Sequence, residues 1–293
     1  MIATLTSVLG GLDQRRLEPE VMDDPALDPV RHRHALDGLA RLNAWSVSDR
    51  AIFRPVLKLS RELGRPIRLL DVACGGGDLI TRLSRRARRA GIDLRPTGCD
   101  VSHLALDGAA DRTRRAGVEA RFLRRDVIRD GLPEGFDAVV CTLFLHHLED
   151  AAAVGLLRAI DRARPRMAIV QDLRRTRPGA LLAFGASQAL TRSPVVHNDA
   201  LLSVGAAFTR PEVARLAQRA GLRYPHPARV WPLRWQLVWR SRVESRRVPS
   251  ERLVSTPVPI AEMRRMGHEA AAADEVVEND GSELGAVGGA GFE

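Results

Sequence analysis

Apolar and polar positions follow two different periods along the chain, and the change between them divides it. From residue 29 to residue 63, apolar residues recur at helical spacing with a break near residues 46–48. This pattern predicts two helices, which we call the N-terminal helical cap (29–63). Residues 1–28 have no clear period and are acidic around residues 18–25, so an irregular lead-in is predicted there.

Residues 64–243 have a different organisation, in which short apolar runs alternate with amphipathic segments of about 10–15 residues. Strands are predicted at residues 67–72, 94–99, 119–123, 136–142 and 167–172, and helices at 78–90, 103–116 and 150–163. Strands that alternate with helices form right-handed βαβ units. The pattern therefore predicts an α/β fold with a doubly wound, seven-stranded, mostly parallel sheet.

The last third of the chain departs from this alternation. A long helical stretch at about residues 176–208 is predicted to be an inserted lid, and a further helix follows at 210–220. Two β segments, 223–231 and 234–239, suit an antiparallel pair at one edge of the sheet. Residues 244–293 are rich in Gly, Ala and acidic residues and cannot bury a core, so a mostly disordered tail is predicted.

The net charge of +9 is typical of nucleic-acid-binding proteins, but its distribution is not. Lys58 is the only lysine, and the arginines are scattered with few aromatic residues between them. This favours a GC-rich coding bias, and no nucleic-acid partner is expected.

The cysteines and the apolar runs predict where the protein resides. Cys74, Cys99 and Cys141 each end a predicted buried strand, where free thiols pack as small hydrophobic groups. The first residues lack the basic region of a signal peptide, and the longest apolar run is too short to span a bilayer. A cytoplasmic protein without stable membrane insertion is therefore expected.

A glycine-rich turn, Asp71-Val-Ala-Cys-Gly-Gly-Gly77, joins the first predicted strand to a helix. Glycines let the backbone pass close to a ligand, and the helix start offers free N–H groups. A dinucleotide-binding turn would have glycine where Ile80 stands and no acid at Asp71. Asp71 suits a ligand that carries an ammonium and a sulfonium group. We therefore predict S-adenosylmethionine as cofactor.

Acidic residues also end the next two predicted strands. Asp100 can accept both ribose hydroxyls, and the carboxylate of Asp126 can accept the adenine amino group. Each acid alone is typical of a strand-end cap, but three at successive strand ends favour a cofactor site. The predicted site consists of Asp71, Ala73, Gly75, Gly76, Gly77, Asp100, Val101, Asp126 and Thr142.

The segments LLDVACGGGD, TGCDVS, RRDV and FDAVVCTLFLHHLED resemble motifs I to IV of class I S-adenosylmethionine-dependent methyltransferases. They are most similar to the ubiquinone/menaquinone-biosynthesis type (methyltransferase type 11/25), over roughly residues 67–172. The resemblance implies that Asp71 and the three glycines hold the methionine moiety, Asp100 the ribose, and Asp126 with Val127 the adenine. It also implies that Asn43 closes over the cofactor, although the tyrosine that those quinone enzymes carry before it is absent.

Three further segments resemble one subgroup within this family. PEVMDDPALDP, QDLRRTRPG and LTRSPVVHNDALLSVGAAFT resemble a bacterial subgroup often encoded beside type III polyketide synthases and flavin oxidoreductases. This likeness implies a phenolic or polyketide-derived acceptor.

Three histidines are candidate bases. His146 and His147 follow the fourth predicted strand, at the sheet edge where open α/β folds bind ligands, and His197 lies in the lid. Since a phenol is mostly neutral at pH 7, a positioned base would help methyl transfer. We rank His146 first, His197 second and His147 third; the alternative is that the adjacent pair caps a helix and packs.

Other polar residues near these histidines leave alternatives open. Arg174 and Arg175 could hold a carboxylate or face solvent, and solvent is favoured for Arg175. No HxxxH pair is present and the adjacent histidines are expected to point in different directions, so no metal is predicted.

These features predict an enzyme that methylates a small phenolic, polyketide-like or quinone-like acceptor, with O-methylation favoured over C-methylation of an activated ring. RNA methylation is an alternative because the pI is 10.9, although Cys141-Thr-Leu-Phe stands where such enzymes have Asn/Asp-Pro-Pro-Tyr. A cofactor-binding scaffold without turnover is the alternative outside enzymology. The oligomeric state is not predicted.

Overall fold

A single mixed sheet organises the protein. The computed structural model describes residues 2–24, 26–223, 225–241 and 276–278. Its strands are β1 Ile67–Val72, β2 Leu94–Asp100, β3 Arg121–Arg124, β4 Ala138–Thr142, β5 Met167–Leu173, β6 Ala228–Val230, β7 Arg234–Trp239 and β8 Val276–Glu278. They lie in the order β6-β7-β5-β4-β1-β2-β3-β8.

The first seven strands confirm the predicted doubly wound, mostly parallel sheet. Among the strands β1 to β5, every pair of neighbouring strands is parallel. Strand β7 runs antiparallel to both β5 and β6, which confirms the predicted pair at one edge. At the opposite edge, the short strand β8 pairs antiparallel with β3. It comes from the segment predicted as a mostly disordered tail; residues 244–275 and 279–293 lie outside the described residues.

Helices cover the two faces of this sheet and its carboxyl edge. They are α1 Ile2–Gly11, α2 Pro29–Ser46, α3 Asp49–Leu63, α4 Asp78–Arg89, α5 His103–Arg115, α6 Asp150–Arg162, α7 Arg177–Leu190, α8 Pro194–Ala206 and α9 Arg210–Arg219. The two helices of the cap are confirmed as α2 and α3. Helix α2 begins at Pro29 because Asp28 accepts the Arg31 N–H and proline suits a first turn.

The lid is also helical, as predicted, and consists of α7 and α8. Both begin with a proline in the first turn and with a side-chain cap, from Thr176 and Ser193 respectively. The described part of the chain contains no helix with the length and apolar character to cross a membrane.

The prediction of an irregular lead-in is wrong for residues 2–11, which form α1. This run carries no charged residue, and α1 packs against α7 and α8. Since tertiary contacts of this kind outweigh local propensity, the sequence pattern alone does not reveal the helix. After α1 the chain crosses over the carboxyl edge of the sheet as residues 12–24, which we call the strap.

Hydrogen bonds fix the strap to the domain at both ends. The Arg15 guanidinium donates to the carbonyls of His146, Leu148 and Ala206 at 2.6–2.8 Å. Further along, the Asp199 carboxylate of α8 accepts the backbone N–H groups of Val21 and Met22, both at 3.0 Å. The strap is therefore part of the wall above the sheet edge.

Candidate active site

The glycine turn between β1 and α4 has a backbone that only glycine adopts without strain at two positions. Gly75 and Gly77 have φ of 50° and 69°, and Ala73 is also left-handed at 53°. A Cβ at Gly77 would lie 2.8 Å from the Cβ of Ala109 on α5. The turn is thus held tightly between β1 and α5, with the start of α4 facing the sheet edge.

Asp71 lies at the end of β1 and is completely enclosed. Neither of its carboxylate oxygens has a hydrogen-bond partner within the described chain. Burial raises the pKa of Asp71 well above its usual value, and the nearby charges of Asp78 and Asp100 raise it further. Because buried polar groups are normally satisfied, this carboxylate fits a ligand that brings a cation or a donor. The ammonium and sulfonium groups of S-adenosylmethionine meet that requirement.

Asp100 ends β2 directly beside the glycine turn. Its carboxylate accepts the N–H of Gly75 at 2.9 Å and the N–H of Ser102 at 3.0 Å. Burial raises the pKa of Asp100, and these hydrogen bonds oppose the rise. Each carboxylate oxygen retains a second lone pair, which a ribose hydroxyl could use. The following residue, Val101, is exposed.

The other predicted cofactor residues are spread along the same edge. The Asp126 carboxylate accepts the N–H groups of Ile128 and Arg129, so in this structure it caps a turn, which was the alternative interpretation. Val127 is buried in the core. Thr142, at the end of β4, lines a small cleft together with Asn43. An adenine contact of Asp126 remains a prediction.

A cavity opens between the sheet edge and the helices above it. Its walls come from the strap, α2, the lid and the segments that follow β4 and precede β7, and its volume is about 160 Å³. Most of the lining is apolar: Met22, Leu39, Leu42, Leu143, Leu173, Leu182, Ala183, Ala186, Val196 and Leu233.

The inner end of the cavity is polar and centres on His146. Its Nδ1 lies 2.7 Å from the Asp172 carboxylate, which also accepts the His146 backbone N–H at 3.0 Å. Burial raises the pKa of Asp172, but the charge and hydrogen bond of His146 outweigh this and lower it. The carboxylate therefore fixes the ring with Nδ1 as donor. Nε2 faces Glu20 of the strap, whose carboxylate oxygen is 3.7 Å away.

His147 lies beside His146 and contacts the strap. Its Nδ1 is 3.0 Å from the Asp23 carboxylate. Burial lowers the pKa of His147, but the hydrogen bond to Asp23 and the charge of Glu20 outweigh it and raise that pKa to about 9. His147 is therefore an imidazolium at neutral pH that holds the strap, and it is less suited than His146 to accept a proton.

The expectation that the two histidines point in different directions is wrong. Their rings lie side by side, with centroids 4.2 Å apart and planes inclined by 33°. One nitrogen of each ring and a Glu20 oxygen fall within 4.8 Å of one another, a spacing at which three ligands can surround a cation. An imidazolium has no free lone pair, so His147 in that form cannot bind a metal ion. Its positive charge already balances the nearby carboxylates. That no metal binds here stays a prediction.

His197 and Arg175 are placed differently from what the sequence indicated. His197 does not line the cavity; its Nε2 lies 2.9 Å from the Thr191 carbonyl within the lid. Arg175 does not face solvent, because its guanidinium is buried in an ion pair with Glu212 at 2.6 Å. It also donates to the Leu12 and Ala207 carbonyls and so joins α9 to the strap. Arg174 lines the cavity.

Asp172 and Glu20 are site residues that the sequence analysis did not select. Asp172 lies at the carboxyl end of β5, in the same position as Asp71 on β1 and Asp100 on β2. The reasoning that selected Asp71 and Asp100, namely that acidic residues at strand ends lie at one edge of the sheet, could therefore also have identified Asp172. Glu20 reaches the site only because the strap folds back over the sheet, and no local pattern indicates that.

The His147–Asp23 pair predicts a loss of stability at alkaline pH. The raised pKa means that its contribution is complete below pH 6.5, the ordinary value, and is lost as the pH rises through about 9. Because the Asp23 side chain is 57% exposed, we expect no more than about 1 kcal/mol. Thermal melts between these pH values measure the loss, which Asp23→Asn should reduce and the surface control Asp111→Asn should not. An equal alkaline loss in Asp23→Asn would contradict this pairing.

Comparisons with known proteins agree with this geometry. Residues 69–164 match the family described as a methyltransferase domain. The ubiquinone biosynthesis O-methyltransferase of Methylococcus capsulatus is 34% identical over 159 residues, which are 52% of this chain and 62% of that protein. The enzyme of the same name from Neisseria meningitidis serogroup C is 33% identical over 91 residues, 30% of this chain and 36% of its own length. The chain therefore spans between a third and two thirds of these relatives.

Two solved structures share the overall fold. One, from Nostoc punctiforme and assigned as an O-methyltransferase, covers 81% of this chain and 67% of its own, with a TM-score of 0.55 at 18% identity. The S-adenosylmethionine-dependent methyltransferase SibL covers 82% and 68%, with a TM-score of 0.50 at 21% identity. These two structures show a shared fold, and residues 69–164 match the methyltransferase-domain family.

Proposed function

We propose that this protein transfers a methyl group from S-adenosylmethionine to a hydroxyl group of a small phenolic or polyketide-like acceptor bound in the cavity. The observation that carries the proposal is the His146–Asp172 pair, buried at the polar end of an otherwise apolar cavity. An apolar wall suits the aromatic ring of the acceptor. The His146–Asp172 pair suits the acceptor hydroxyl, which is the polar group that must lose a proton. The likeness to the polyketide-associated subgroup supports the acceptor class by resemblance only.

The residues present fit the donor. Asp71 would face its positively charged groups, Asp100 its ribose, and Thr142 and Asn43 would line the passage between donor and acceptor. When bound, S-adenosylmethionine supplies a methyl group made electrophilic by the positive sulfur. The chain's own contribution is to hold the two reactants in line, which in well-oriented cases is worth about 7–11 kcal/mol of the barrier.

His146 would take the hydroxyl proton. In the neutral form of His146, Asp172 holds the ring with its Nδ1–H donated, so the lone pair of Nε2 is free to accept the proton. The imidazolium that forms is stabilised by the carboxylate 2.7 Å away. Burial of both groups strengthens this interaction because little water screens it. A positioned base of this kind contributes typically 10²–10⁴-fold.

The test is a panel of simple phenols incubated with donor and protein, with products analysed by mass and by their remaining free hydroxyls. O-methylation adds one methyl group and removes one hydroxyl. C-methylation adds the methyl group and keeps every hydroxyl. Methylated products that all retain their hydroxyls would replace this proposal with the C-methyl alternative, and no product from any phenol would contradict the acceptor class.

Asp100→Ala should weaken donor binding without unfolding the protein. The change would leave the ribose hydroxyls without their acceptor, a loss of about 1–3 kcal/mol or roughly 5- to 150-fold in Kd. Calorimetry with the donor measures it, and Asp111→Ala, which removes a surface carboxylate paired with Arg114, is the matched control. Unchanged affinity in Asp100→Ala would remove this residue from the donor site.

A further inference from the structure

Arg234, the first residue of β7, carries a buried charge without a counter-ion among the described residues. Its side chain is almost completely enclosed, at 6% exposure. Nη1 donates to the Ser48 hydroxyl at 3.0 Å and Nη2 to the Asn43 side-chain oxygen at 3.1 Å, and both partners are neutral. Nε is buried and has no partner among the residues described. Burial lowers the pKa of Arg234 to about 10, and the more distant charge of Asp172 only partly opposes this.

Such an arrangement is unfavourable unless a ligand completes it. Removing a guanidinium from water costs several kcal/mol when no carboxylate replaces the lost hydration. The other buried arginine of this region shows the normal solution: Arg175, 5% exposed, is paired with Glu212 at 2.6 Å. Within the described chain, no carboxylate oxygen lies within 4.0 Å of the Arg234 guanidinium nitrogens. An anionic group of a ligand would supply Arg234 with the negative charge that Glu212 supplies to Arg175.

The position of Arg234 indicates which ligands could supply this anionic group. It lines both the acceptor cavity and the small cleft that also contains Thr142 and Asp78, beside the glycine turn. The charges of Asp78 and Arg82 act on the pKa of Arg234 and on that of Asp71. Asp71 and Arg234 are thus both buried, neither forms an ion pair within the described residues, and the same two charged groups act on both of them. They match the two opposite charges of an amino acid.

We propose that Arg234 is the centre of a carboxylate-binding subsite between donor and acceptor. Its fork, held by Ser48 and Asn43, would bind the carboxylate through N–H groups that include the unpartnered Nε–H. The carboxylate comes either from the amino-acid end of the donor or from the acceptor. Both sources rest on the proposed function, whereas the subsite itself rests on the buried guanidinium.

Calorimetry tests the donor source without any turnover. S-adenosylmethionine and its decarboxylated analogue are titrated into the wild-type protein, Arg234→Met, Arg234→Lys and the control Arg229→Met, whose residue is exposed on the neighbouring strand β6. If the donor supplies the carboxylate, Arg234→Met should weaken donor binding by about 10- to 150-fold, the range for a lost hydrogen bond to a charged group. The analogue should bind all four proteins equally, and Arg234→Lys should lie between wild type and Arg234→Met.

A second pair of ligands tests the acceptor source. A hydroxybenzoate and its methyl ester differ only in the carboxylate, so the wild-type protein should prefer the acid and Arg234→Met should not. Melting curves identify any variant that fails to fold; Arg234→Lys, which keeps the charge, then carries the comparison. The proposal is overturned if neither pair of ligands distinguishes the wild-type protein from the Arg234 variants. A protein that binds as expected but transfers no methyl group would instead contradict the proposed function alone.

Discussion

His146→Ala should lower kcat by about 100-fold or more while donor affinity stays within about twofold. The variant removes the only cavity-lining imidazole whose Nδ1 is fixed by a buried carboxylate, among the residues that the structure describes. The hydroxyl of the acceptor then has no group at that position to take its proton. Steady-state kinetics with the best acceptor of the phenol panel give kcat, and calorimetry gives donor affinity.

Two matched variants separate a base from a packing residue. Asp172→Asn keeps the shape of the side chain but cannot stabilise an imidazolium, so kcat should fall while the fold remains. His103→Ala removes an exposed histidine on α5 that pairs with Asp107, and it should change nothing. If His146→Ala retains a kcat close to that of the wild type, alignment alone drives transfer and the acceptor ionises without help from the protein.

Gly77→Ala should destabilise the fold by about 2–5 kcal/mol and weaken donor binding. A left-handed φ of 69° costs alanine about 1–2 kcal/mol. The new Cβ would also lie 2.8 Å from the Cβ and 3.1 Å from the Cα of Ala109, an overlap that adds about 1–3 kcal/mol. Because α5 must move away from the glycine turn, the turn no longer keeps the shape to which the donor binds. Chemical denaturation measures the stability, and calorimetry measures binding.

Gly91 provides the control for this prediction. Its φ is 66°, almost the same as that of Gly77, but apart from its chain neighbours no described residue lies within 4 Å of a Cβ placed there. Gly91→Ala should therefore cost only the conformational term of about 1–2 kcal/mol and leave donor affinity unchanged. Equal losses in the two variants would show that close packing against α5 is not what the glycine turn requires.

The sheet could be predicted from sequence because its signals are local. Buried parallel strands are short apolar runs, and the helices between them have one apolar face, so both periods can be read within a dozen residues. The same locality placed Asp71, Asp100 and His146 at one edge, because parallel strands all end there. Asp172 follows from this rule too, once the end of β5 is treated like the ends of β1 and β2.

The roof of the site could not be predicted, since contacts distant in sequence determine it. Glu20 and Asp23 reach the histidines only because Arg15 and Asp199 tie the strap down. Arg175 is buried because Glu212, 37 residues further along the chain, lies opposite it. Arg234 lies in no sequence motif, and what distinguishes it is its enclosure without a counter-ion among the described residues.

The most direct test of the central claim is the fate of the methyl group. Donor labelled in that methyl group is incubated with the protein and, in separate reactions, with a small-molecule extract of a polyketide-producing bacterium and with bulk RNA. We predict a labelled small molecule whose label lies on a phenolic oxygen and whose formation is lost in His146→Ala, and no labelled RNA. Label in RNA, or donor binding without any labelled product, would contradict the claim.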